Sequence, residues 1–486
     1  MNKFQPLDAY RRGKGETYKL LPLKFTPLDD SKYVVTNMAG EYHILARDAL
    51  HAFVQKQLNT DSADYDDLKA KHFLIDSDSD VAVDLLALKV RTKYQRLSNF
   101  TGLHLFVVTL RCEHSCPYCQ VSRQNDGQTQ FDMSPEIAAK VLSLVFRSPS
   151  PNIKIEFQGG EPLLNFDLIK FIVRRASDIN QVERRDLAFV IATNLSVVTD
   201  DMLEFCREYS IHISTSLDGP ADLHNKNRPR PGNDSYQRAI AGINRVRDAL
   251  GRDSVSAVMT TTATSLTRVR DIIDEYVSDG FHGIFLRPLS PYGFAIKTKW
   301  YAAYDHDKWL DFYFEGLDYV IELNRKGWPF REFYAATILA KMLTPFQPGF
   351  VDLMSPAGIG IGALAYNYDG NVFASDESRM LAEMHDNTFL LGNVQTNTYE
   401  QIILSNSLLN PLEASFTESV PMCSDCAFEP FCGADPVYHH ATQGDFVGRK
   451  PLSGFCNRNM AIFKGLISRM EADTTTRELF YQWASR

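Results

Sequence analysis

The sequence has no apolar run long enough to cross a bilayer, and its opening, MNKFQPLDAYRRGKG, lacks the apolar core of a signal peptide. Basic residues are not in excess either: 51 Lys and Arg stand against 60 Asp and Glu, for a formal net charge of −9. An acidic chain is poorly suited to bind nucleic acid or an anionic membrane surface. These absences predict a cytoplasmic protein with no nucleic-acid partner and no membrane partner.

Cysteine is scarce, with eight residues in a chain of 486, but it is strongly clustered. Seven of the eight lie in two stretches, at 112–119 and 423–456. The eighth, Cys206, occupies an apolar position of a helical pattern and is predicted to lie in the core. Because thiols stay reduced in the cytoplasm, the two clusters indicate metal ligation and not disulfide bonds.

The first cluster reads RCEHSCPYCQ and places Cys112, Cys116 and Cys119 in a C-x3-C-x2-C pattern. It directly follows the apolar run 103–110, which predicts a strand buried on both faces. Two interpretations stay open for three thiolates in one loop. A zinc site could take His114 as its fourth ligand, whereas an iron–sulfur cluster would keep one iron without a protein ligand.

The spacing of these cysteines, with Tyr118 before the last of them, resembles the signature loop of the radical S-adenosylmethionine (SAM) superfamily. The resemblance implies that Cys112, Cys116 and Cys119 hold a [4Fe–4S] cluster whose open iron chelates SAM. It also implies that one electron cleaves SAM to methionine and a 5′-deoxyadenosyl radical, with the Tyr118 ring beside the cofactor.

Strands and helices alternate through residues 100–330, with strands predicted at 103–110, 152–158, 187–193, 211–217, 254–260 and 283–288. Repeated β–α units predict a parallel sheet covered by helices, and therefore an α/β protein. Six units are too few for an eight-fold barrel, so the expected fold is a partial (β/α)6 barrel of the radical SAM type. Chemistry in parallel α/β folds lies at the carboxyl ends of strands, and polar motifs follow all six strands here.

Those motifs supply the candidate SAM-binding residues. Gly159 and Gly160 let the backbone approach a ligand closely. With Glu161 and the proline after it, they match the family's GGEP motif, which implies that Glu161 binds the ammonium group of SAM. The remaining candidates, for the ribose and carboxylate groups, are Asn194, Ser216, Asp218, Arg228 and Arg287.

Residues 1–95 are predicted to form a separate α+β module, with two strand-like runs joined by a turn and followed by helices. This order of elements resembles the winged-helix module that recognises the leader of a precursor peptide, and an exposed strand edge would capture the leader by strand addition. A cap that only covers one end of the barrel is the alternative. The polar segment 76–80 and a helix over 81–97 would link the module to the barrel.

A helical bridge is predicted at 331–350, followed by a C-terminal domain over 351–475 that carries Cys423, Cys426, Cys432 and Cys456. In isolation these four residues could form a zinc knuckle or ribbon. Beside the first cluster they resemble the SPASM domain, which typically uses seven cysteines for two auxiliary [4Fe–4S] clusters. The other three ligand positions are Ser355, Ser375 and Pro436, which cannot replace thiolates. The resemblance therefore implies one auxiliary [4Fe–4S] cluster, ligated by all four cysteines.

Asp376 follows Ser375 in this tail. It aligns with an acidic residue that acts as a base in the related sulfatase-maturing enzymes. The resemblance implies that Asp376 is catalytic, and an ordinary turn residue is the alternative.

The whole chain is most similar to the B-type radical SAM maturases of the His-Xaa-Ser peptide system. The similarity rests on residues 3–12, on residues 107–124 and on the C-terminal domain that lacks three of the seven expected cysteines. The similarity implies an oxidoreductase that acts on a ribosomally made precursor peptide with a leader. It would abstract hydrogen, from a Cβ, and form an intramolecular cross-link of the cyclophane type, with flavodoxin or ferredoxin as electron donor. Two alternatives stay open: a sulfatase-type maturase that forms formylglycine, and a non-catalytic zinc-binding protein.

Overall fold

The computed structural model describes residues 17–76, 81–345 and 347–485. The similarity at 3–12 and most of the predicted linker at 76–80 lie outside these residues. In the part that is described, no helix combines the length and the apolarity needed to span a membrane.

The N-terminal part is a small α+β unit with its own core. Its elements are β1 (Lys19–Leu20), β2 (Leu23–Pro27), β3 (Lys32–Asn37), β4 (Tyr42–Ala46), α1 (Arg47–Val54), α2 (Ala63–Ala70), β5 (Leu74–Ile75) and α3 (Val81–Tyr94). Strands β2, β3 and β4 form an antiparallel sheet in that order. Because side chains alternate along β3, Val35 packs into the small core while Val34 joins the core of the rest of the chain. The N-terminal unit therefore packs against the rest of the chain through one face of its sheet.

The middle of the chain is a twisted parallel sheet covered by helices. Its elements are β6 (Leu103–Thr109), α4 (Pro135–Val145), β7 (Asn152–Gly159), α5 (Phe166–Glu183), β8 (Asp186–Thr193), α6 (Asp200–Glu208), β9 (His212–Ser216), α7 (Ala221–Asn227), α8 (Ser235–Leu250), β10 (Val255–Val258), α9 (Val269–Ser278) and β11 (Gly283–Ile284). Strands β6 to β10 are parallel neighbours. This confirms the predicted α/β fold.

The sixth predicted strand differs from the expectation. β11 covers two residues of the predicted 283–288 and pairs with β12 (Arg331–Glu332), not with β10. The segment after it still borders the end of the fifth strand, since the Thr261 backbone N–H donates to the Arg287 carbonyl at 3.1 Å. Pro288 lacks the N–H group that a longer ladder would need.

The rest of the chain continues the same sheet. Its elements are α10 (Phe294–Lys297), α11 (His306–Arg325), α12 (Phe333–Leu343), β13 (Ala363–Tyr366), β14 (Asn371–Phe373), α13 (Asp376–Ala382), β15 (Leu390–Asn393), α14 (Tyr399–Ile403), α15 (Asn406–Ala414), α16 (Pro436–Gln443), α17 (Gly454–Ala472) and α18 (Thr474–Ala484). Strand β13 lies parallel to β6, and β14 and β15 extend the sheet with antiparallel pairs. One hydrophobic core runs through barrel and tail. The division between 100–330, the bridge at 331–350 and 351–475 stays a prediction.

Candidate active site

The three cysteines of the first cluster line a cavity of about 290 Å³ beyond the carboxyl ends of strands β6 to β10. Among the predicted cofactor-binding residues, those that also line it are Tyr118, Gly159, Gly160, Asn194, Ser216, Arg228 and Arg287. Asp376 reaches the same cavity from the tail, whereas Glu161 and Asp218 lie behind its wall. The structure thus brings together residues that are up to 264 positions apart in the sequence, Cys112 and Asp376.

Contacts from several elements hold the cysteine loop in place. Arg111, just before Cys112, forms a two-pronged ion pair with Asp132, with Nε and Nη2 each 2.8 Å from a carboxylate oxygen. At the far end, the Phe294 backbone N–H donates to the Cys119 carbonyl at 2.7 Å. The Thr298 hydroxyl donates to the Pro117 carbonyl at 2.9 Å. These contacts hold both ends of the backbone from which the sulfur atoms project.

The glycine pair has a packing role that the sequence did not indicate. A Cβ atom on Gly159 would lie 2.0 Å from the Thr109 carbonyl oxygen, and one on Gly160 would lie 2.3 Å from that of Arg111. Gly159 also has a φ of +150°. The GGEP loop therefore crosses directly over the start of the cysteine loop, and only glycine fits there.

We expect Gly160→Ala to displace the cysteine loop, because the new methyl group meets backbone atoms that cannot rotate away. The expected cost is about 1–3 kcal/mol of unfolding free energy, together with a lower iron content after anaerobic reconstitution. Thermal unfolding and iron analysis measure both effects. Gly127→Ala is the matched control, because a Cβ there meets nothing within 4 Å; equal losses in both variants would contradict this explanation.

Glu161 is fully buried, and both of its carboxylate oxygens already have protein partners. Oε1 accepts from the Thr193 hydroxyl (2.7 Å) and the Leu163 backbone N–H (3.0 Å), and Oε2 accepts from the Asn194 backbone N–H (2.8 Å). Burial and the neighbouring Glu113 raise the pKa of Glu161 to about 8. Glu161 therefore links the GGEP loop by hydrogen bonds to Thr193 and Asn194 at the end of β8. Its contact with SAM stays a prediction.

Asp218 supports two cavity residues. Its Oδ2 accepts from the Tyr118 hydroxyl at 2.6 Å, and its Oδ1 accepts from Arg228 Nη2 at 3.1 Å. The Arg228 guanidinium also lies 5.5 Å from the centre of the Tyr118 ring. Asp218 thereby fixes the ring and the cation that border the cysteines, and its predicted role as a direct ligand of SAM stays a prediction.

Sequence reasoning missed Glu113, which lies inside the cysteine loop. Its Oε1 accepts hydrogen bonds from Asn194 Nδ2 (2.9 Å) and the Ser196 hydroxyl, and it lies 2.9 Å from His114 Nδ1. Its Oε2 is buried without a partner among the described residues. The predicted residue Asn194 is thus oriented by Glu113, and only the charge of position 113 within the motif could have indicated this.

The geometry argues against a zinc site at the first cluster. His114, the candidate fourth ligand, uses both ring nitrogens, since Nε2 lies 2.8 Å from the Ser235 hydroxyl. Tetrahedral zinc would place its sulfur ligands about 3.8 Å apart. Among the described residues, no three of the cysteine sulfurs lie within 4.8 Å of one another; the one group that meets this limit is Cys112, Glu113 and His114. The three sulfurs are therefore not gathered as ligands of a single zinc ion would be.

The four tail cysteines form the second group that the sequence predicted. Burial raises the pKa of all four thiols, the charges of Cys426, Cys432 and Cys456 also raise the pKa of Cys423, and the charge of Cys432 also raises the pKa of Cys426 and Cys456. The buried Lys341 donates to the Cys432 carbonyl at 2.6 Å. Mutual proximity, partial burial and a nearby cation are what four thiolates around a cluster need.

The N-terminal unit contacts the loop that carries the tail cysteines Cys426 and Cys432. The Thr36 hydroxyl of β3 donates to the Ala427 carbonyl at 2.7 Å, and Lys24 of β2 lies 3.0 Å from Glu429. Both partners belong to the loop between Cys426 and Cys432. The predicted peptide-recognition unit therefore touches the predicted auxiliary-cluster loop directly.

Asp376 is the first residue of α13, with Ser375 as its N-cap. Burial raises the pKa of its carboxyl group to about 6, against the attraction of Arg379, whose Nε lies 3.7 Å from Oδ1. Oδ1 is buried without a hydrogen-bond partner among the described residues. Glu156 of β7 lines the same cavity and was missed, although it shares a strand face with Gln158 two residues later, and this alternation was the signal that could have found it.

Comparison with known proteins agrees with this geometry. Residues 106–274 match the radical SAM superfamily. An uncharacterized protein of Methanothermobacter thermautotrophicus is 30% identical over 196 residues, which are 39% of this chain and 69% of that protein. The radical SAM cyclopropyl synthase TigE of Paramaledivibacter caminithermalis is 25% identical over 150 residues, 28% of this chain and 31% of TigE. A cysteine-type anaerobic sulfatase-maturating enzyme of Clostridium novyi is 20% identical over 372 residues, 74% and 92% of the two chains.

Two solved structures share the fold. Native anSMEcpe with bound AdoMet and Kp18Cys peptide has a TM-score of 0.63 at 17% identity, over 76% of this chain and 98% of that one. Streptococcus suis SuiB bound to the precursor peptide SuiA has a TM-score of 0.52 at 14% identity, over 88% of this chain and 97% of that one. At these identities the likeness establishes the fold alone.

Proposed function

The chain belongs to the radical SAM superfamily and is an enzyme with the fold that anSMEcpe and SuiB share, and from that premise we propose that it is a peptide maturase. Its substrate is a ribosomally made precursor peptide, from which it removes hydrogen, at a Cβ, to close an intramolecular cross-link of the cyclophane type. Bound peptides in the two related structures support a peptide substrate. In its most specific form, the proposal is that the chain is the maturase of a His-Xaa-Ser peptide system.

The observation that carries the proposal is the shared cavity of the cysteine loop and Asp376. The three thiolates fit a [4Fe–4S] cluster with one open iron, which supplies reductive cleavage of SAM and hydrogen abstraction when loaded. Tyr118 and Arg228 border the thiolates at fixed positions. Asp376 lines the same cavity, and this supports its proposed role as the acceptor of a proton from the substrate.

We assign the tail cysteines Cys423, Cys426, Cys432 and Cys456 to one auxiliary [4Fe–4S] cluster. Closing a cross-link removes two hydrogens: one leaves as an atom, and the other leaves as a proton and an electron. Asp376 would accept the proton, and an auxiliary cluster held by these four cysteines would supply a site that takes up the electron. A donor of the flavodoxin or ferredoxin class provides the electron that starts the reaction.

Leader recognition belongs to the same proposal. Strand β4 is an edge of the N-terminal sheet, and a groove of about 450 Å³ runs beside it. The groove is lined by Tyr42, His43 and Ile44 of β4 and by Met470 and Tyr481 of the C-terminal helices. An extended leader could add to the sheet at this edge.

Asp376→Asn is expected to abolish the modified peptide, by roughly a hundredfold or more, while 5′-deoxyadenosine still forms. Because the pKa of Asp376 is raised to about 6, beside Arg379, Glu377, Arg287 and Glu156, its carboxylate is ionised above that pH. Product formation should therefore fall as pH drops through about 6. Quantitative mass spectrometry of both products measures this.

Glu383→Gln is the matched control, because it removes the same charge near Arg379, at 3.8 Å, without altering a residue that lines the cavity. Unchanged turnover in Asp376→Asn would remove that residue from the mechanism. The mass of the peptide decides the reaction: loss of two hydrogens with intact Ser and Cys side chains supports a cross-link. Conversion of Ser or Cys to formylglycine would instead establish the sulfatase-type activity.

A further inference from the structure

A further cavity of about 450 Å³ lies where the start of α11 meets α16 and the start of α17. It shares no lining residue with the groove beside β4. We call it the aromatic cavity, because rings form much of its wall. The residues that line it include Tyr301, His306, Trp309, Tyr438 and Arg458, and the proposed reaction uses none of them.

Arg458 brings a positive charge to this cavity that no carboxylate contacts. Among the described residues, no carboxylate oxygen lies within 4.0 Å of its guanidinium nitrogens, and its buried Nε has no hydrogen-bond partner. The guanidinium carbon lies instead near two aromatic rings, 5.9 Å from the centre of the Trp309 ring and 5.6 Å from that of Phe455. Aromatic rings stabilise a guanidinium through its flat face, and its N–H donors stay free for an anion.

Trp309 supplies a second donor in the same wall. Its side chain is 2% exposed, and its Nε1–H has no hydrogen-bond partner among the described residues. Buried N–H groups are almost always paired, so an unpaired one indicates a missing acceptor. Because Trp309 and Arg458 are neighbours and line the same cavity, one acceptor group can contact both donors.

A carboxylate suits these donors better than a phosphate does. A guanidinium pairs with a carboxylate through two parallel hydrogen bonds. Arg458 is the one Lys or Arg among the lining residues, and the exposed Asp307 adds a negative charge to them. Partial burial and the charge of Arg458 lower the pKa of His306, so His306 adds no second cation at neutral pH. One cation matches the single charge of a carboxylate, whereas a phosphate carries nearly two.

The aromatic cavity adjoins the cavity of the cysteine loop. Arg287 lines the cavity of the cysteine loop, and the next residue, Pro288, lines the aromatic cavity. Helix α10 connects the two cavities as well, since Ile296 lines the aromatic cavity and the Phe294 N–H donates to the Cys119 carbonyl. A group bound in the aromatic cavity is therefore close to the cysteines of the reaction site.

We propose that the aromatic cavity binds a carboxylate group of the peptide substrate, with Arg458 as its counter-ion and Trp309 as a second donor. This rests on the proposed function, because it places the carboxylate on the peptide that the enzyme modifies. The carboxylate belongs to an Asp or Glu side chain or to the C-terminus of the peptide. The aromatic walls favour an apolar residue beside it.

The test uses the full-length chain, reconstituted anaerobically and loaded with SAM, and measures the binding of two pairs of peptides by calorimetry. Acetyl-Gly-Phe and its amide test a C-terminal carboxylate. Acetyl-Glu-Phe-amide and acetyl-Gln-Phe-amide test a side-chain carboxylate. In at least one pair the carboxylate peptide should bind about tenfold more tightly than its uncharged comparator, and that pair identifies the source of the carboxylate.

Two variants place this binding in the aromatic cavity. Arg458→Gln removes the cation and should raise the Kd of the carboxylate peptide about tenfold or more, without changing that of the comparator. Trp309→Phe keeps a ring but removes the donor, and should raise the same Kd about threefold to tenfold. Arg175→Gln is the matched control, because it removes the same charge from an exposed position of α5 and should leave the Kd unchanged.

Circular dichroism and iron content verify that the variants fold. Because Cys456 lies two residues before Arg458, an unchanged iron content also shows that the substitution spares the tail cysteines. If Arg458→Gln does not fold, Arg458→Lys replaces it, and its Kd should still rise severalfold because an ammonium group lacks the two-pronged geometry. Equal binding within both peptide pairs, or equal weakening in the Arg458 and Arg175 variants, overturns the proposal.

The outcome is separable from that of the proposed function. Carboxylate-selective binding that depends on Arg458, in an enzyme that modifies no peptide, would retain the site and overturn the maturase assignment. Modification of a peptide with an unchanged KM in Arg458→Gln would overturn the carboxylate site alone.

Discussion

Cys119→Ala is expected to eliminate reductive cleavage of SAM, with 5′-deoxyadenosine formation falling roughly a thousandfold or more. The backbone of Cys119 is held independently of its sulfur, because its carbonyl accepts from the Phe294 N–H. The loop should therefore keep its shape while one of three cluster ligands is lost. The same loss is expected for Cys112→Ala and Cys116→Ala. Dithionite-driven turnover under anaerobic conditions, followed by mass spectrometry of the nucleoside, measures it.

Cys206→Ala is the matched control for this experiment. Cys206 is buried in α6 and lies outside both cysteine groups, so its loss creates only a small cavity. We expect it to cost about 1–2 kcal/mol of stability and to leave SAM cleavage intact. Retained cleavage in Cys119→Ala, or an equal loss in Cys206→Ala, would refute the assignment of the loop.

Cys432→Ala is expected to remove the auxiliary cluster, and iron should fall from about eight to about four atoms per chain. Because burial raises the pKa of all four thiols, they depend on the metal to stay deprotonated, so loss of one ligand releases the cluster and destabilises the tail. Peptide modification should drop roughly a hundredfold while SAM cleavage persists. Iron analysis, thermal unfolding and product quantification test the three effects.

Ser375→Cys makes the opposite change, because it adds a cysteine to the tail where Cys432→Ala removes one. It restores one cysteine where the family pattern has it, but Ser355 and Pro436 still lack thiolates, so iron should stay at about eight atoms per chain. Iron that remains at eight in Cys432→Ala, or rises to about twelve in Ser375→Cys, would show that the tail ligands are assigned incorrectly.

The α/β fold and the first cluster were accessible from the sequence because their signals are local. Five of the six predicted strands appear in the main sheet close to their predicted bounds. Apolar runs of strand length and a cysteine spacing within eight residues do not depend on distant partners. The sixth strand is shorter than predicted, because Pro288, within the predicted range, has no N–H group to donate to a neighbouring strand.

Roles inside the site were less accessible. The contact of Glu161 with SAM stays a prediction, but the sequence did not indicate that Glu161 also accepts hydrogen bonds from Thr193 and Asn194, or that the glycines pack on the cysteine loop. A carboxylate at the end of a strand looks the same in sequence whether it faces a ligand or a neighbouring strand. Burial decides between the two, and burial is a tertiary property.

The sequence by itself determined the family and its chemistry, since the spacing of three cysteines in one short loop is that of the radical SAM superfamily whatever the rest of the fold; the four tail cysteines stay predicted ligands. Only the tertiary structure decided which side chains meet them. Tyr118 and Asp218 are 100 residues apart, and Thr36 and Ala427 are 391 apart, yet each pair is hydrogen-bonded. The first contact forms because parallel strands align their carboxyl ends, and the second forms because the N-terminal sheet packs against the loop of the tail cysteines; no local sequence pattern specifies either arrangement.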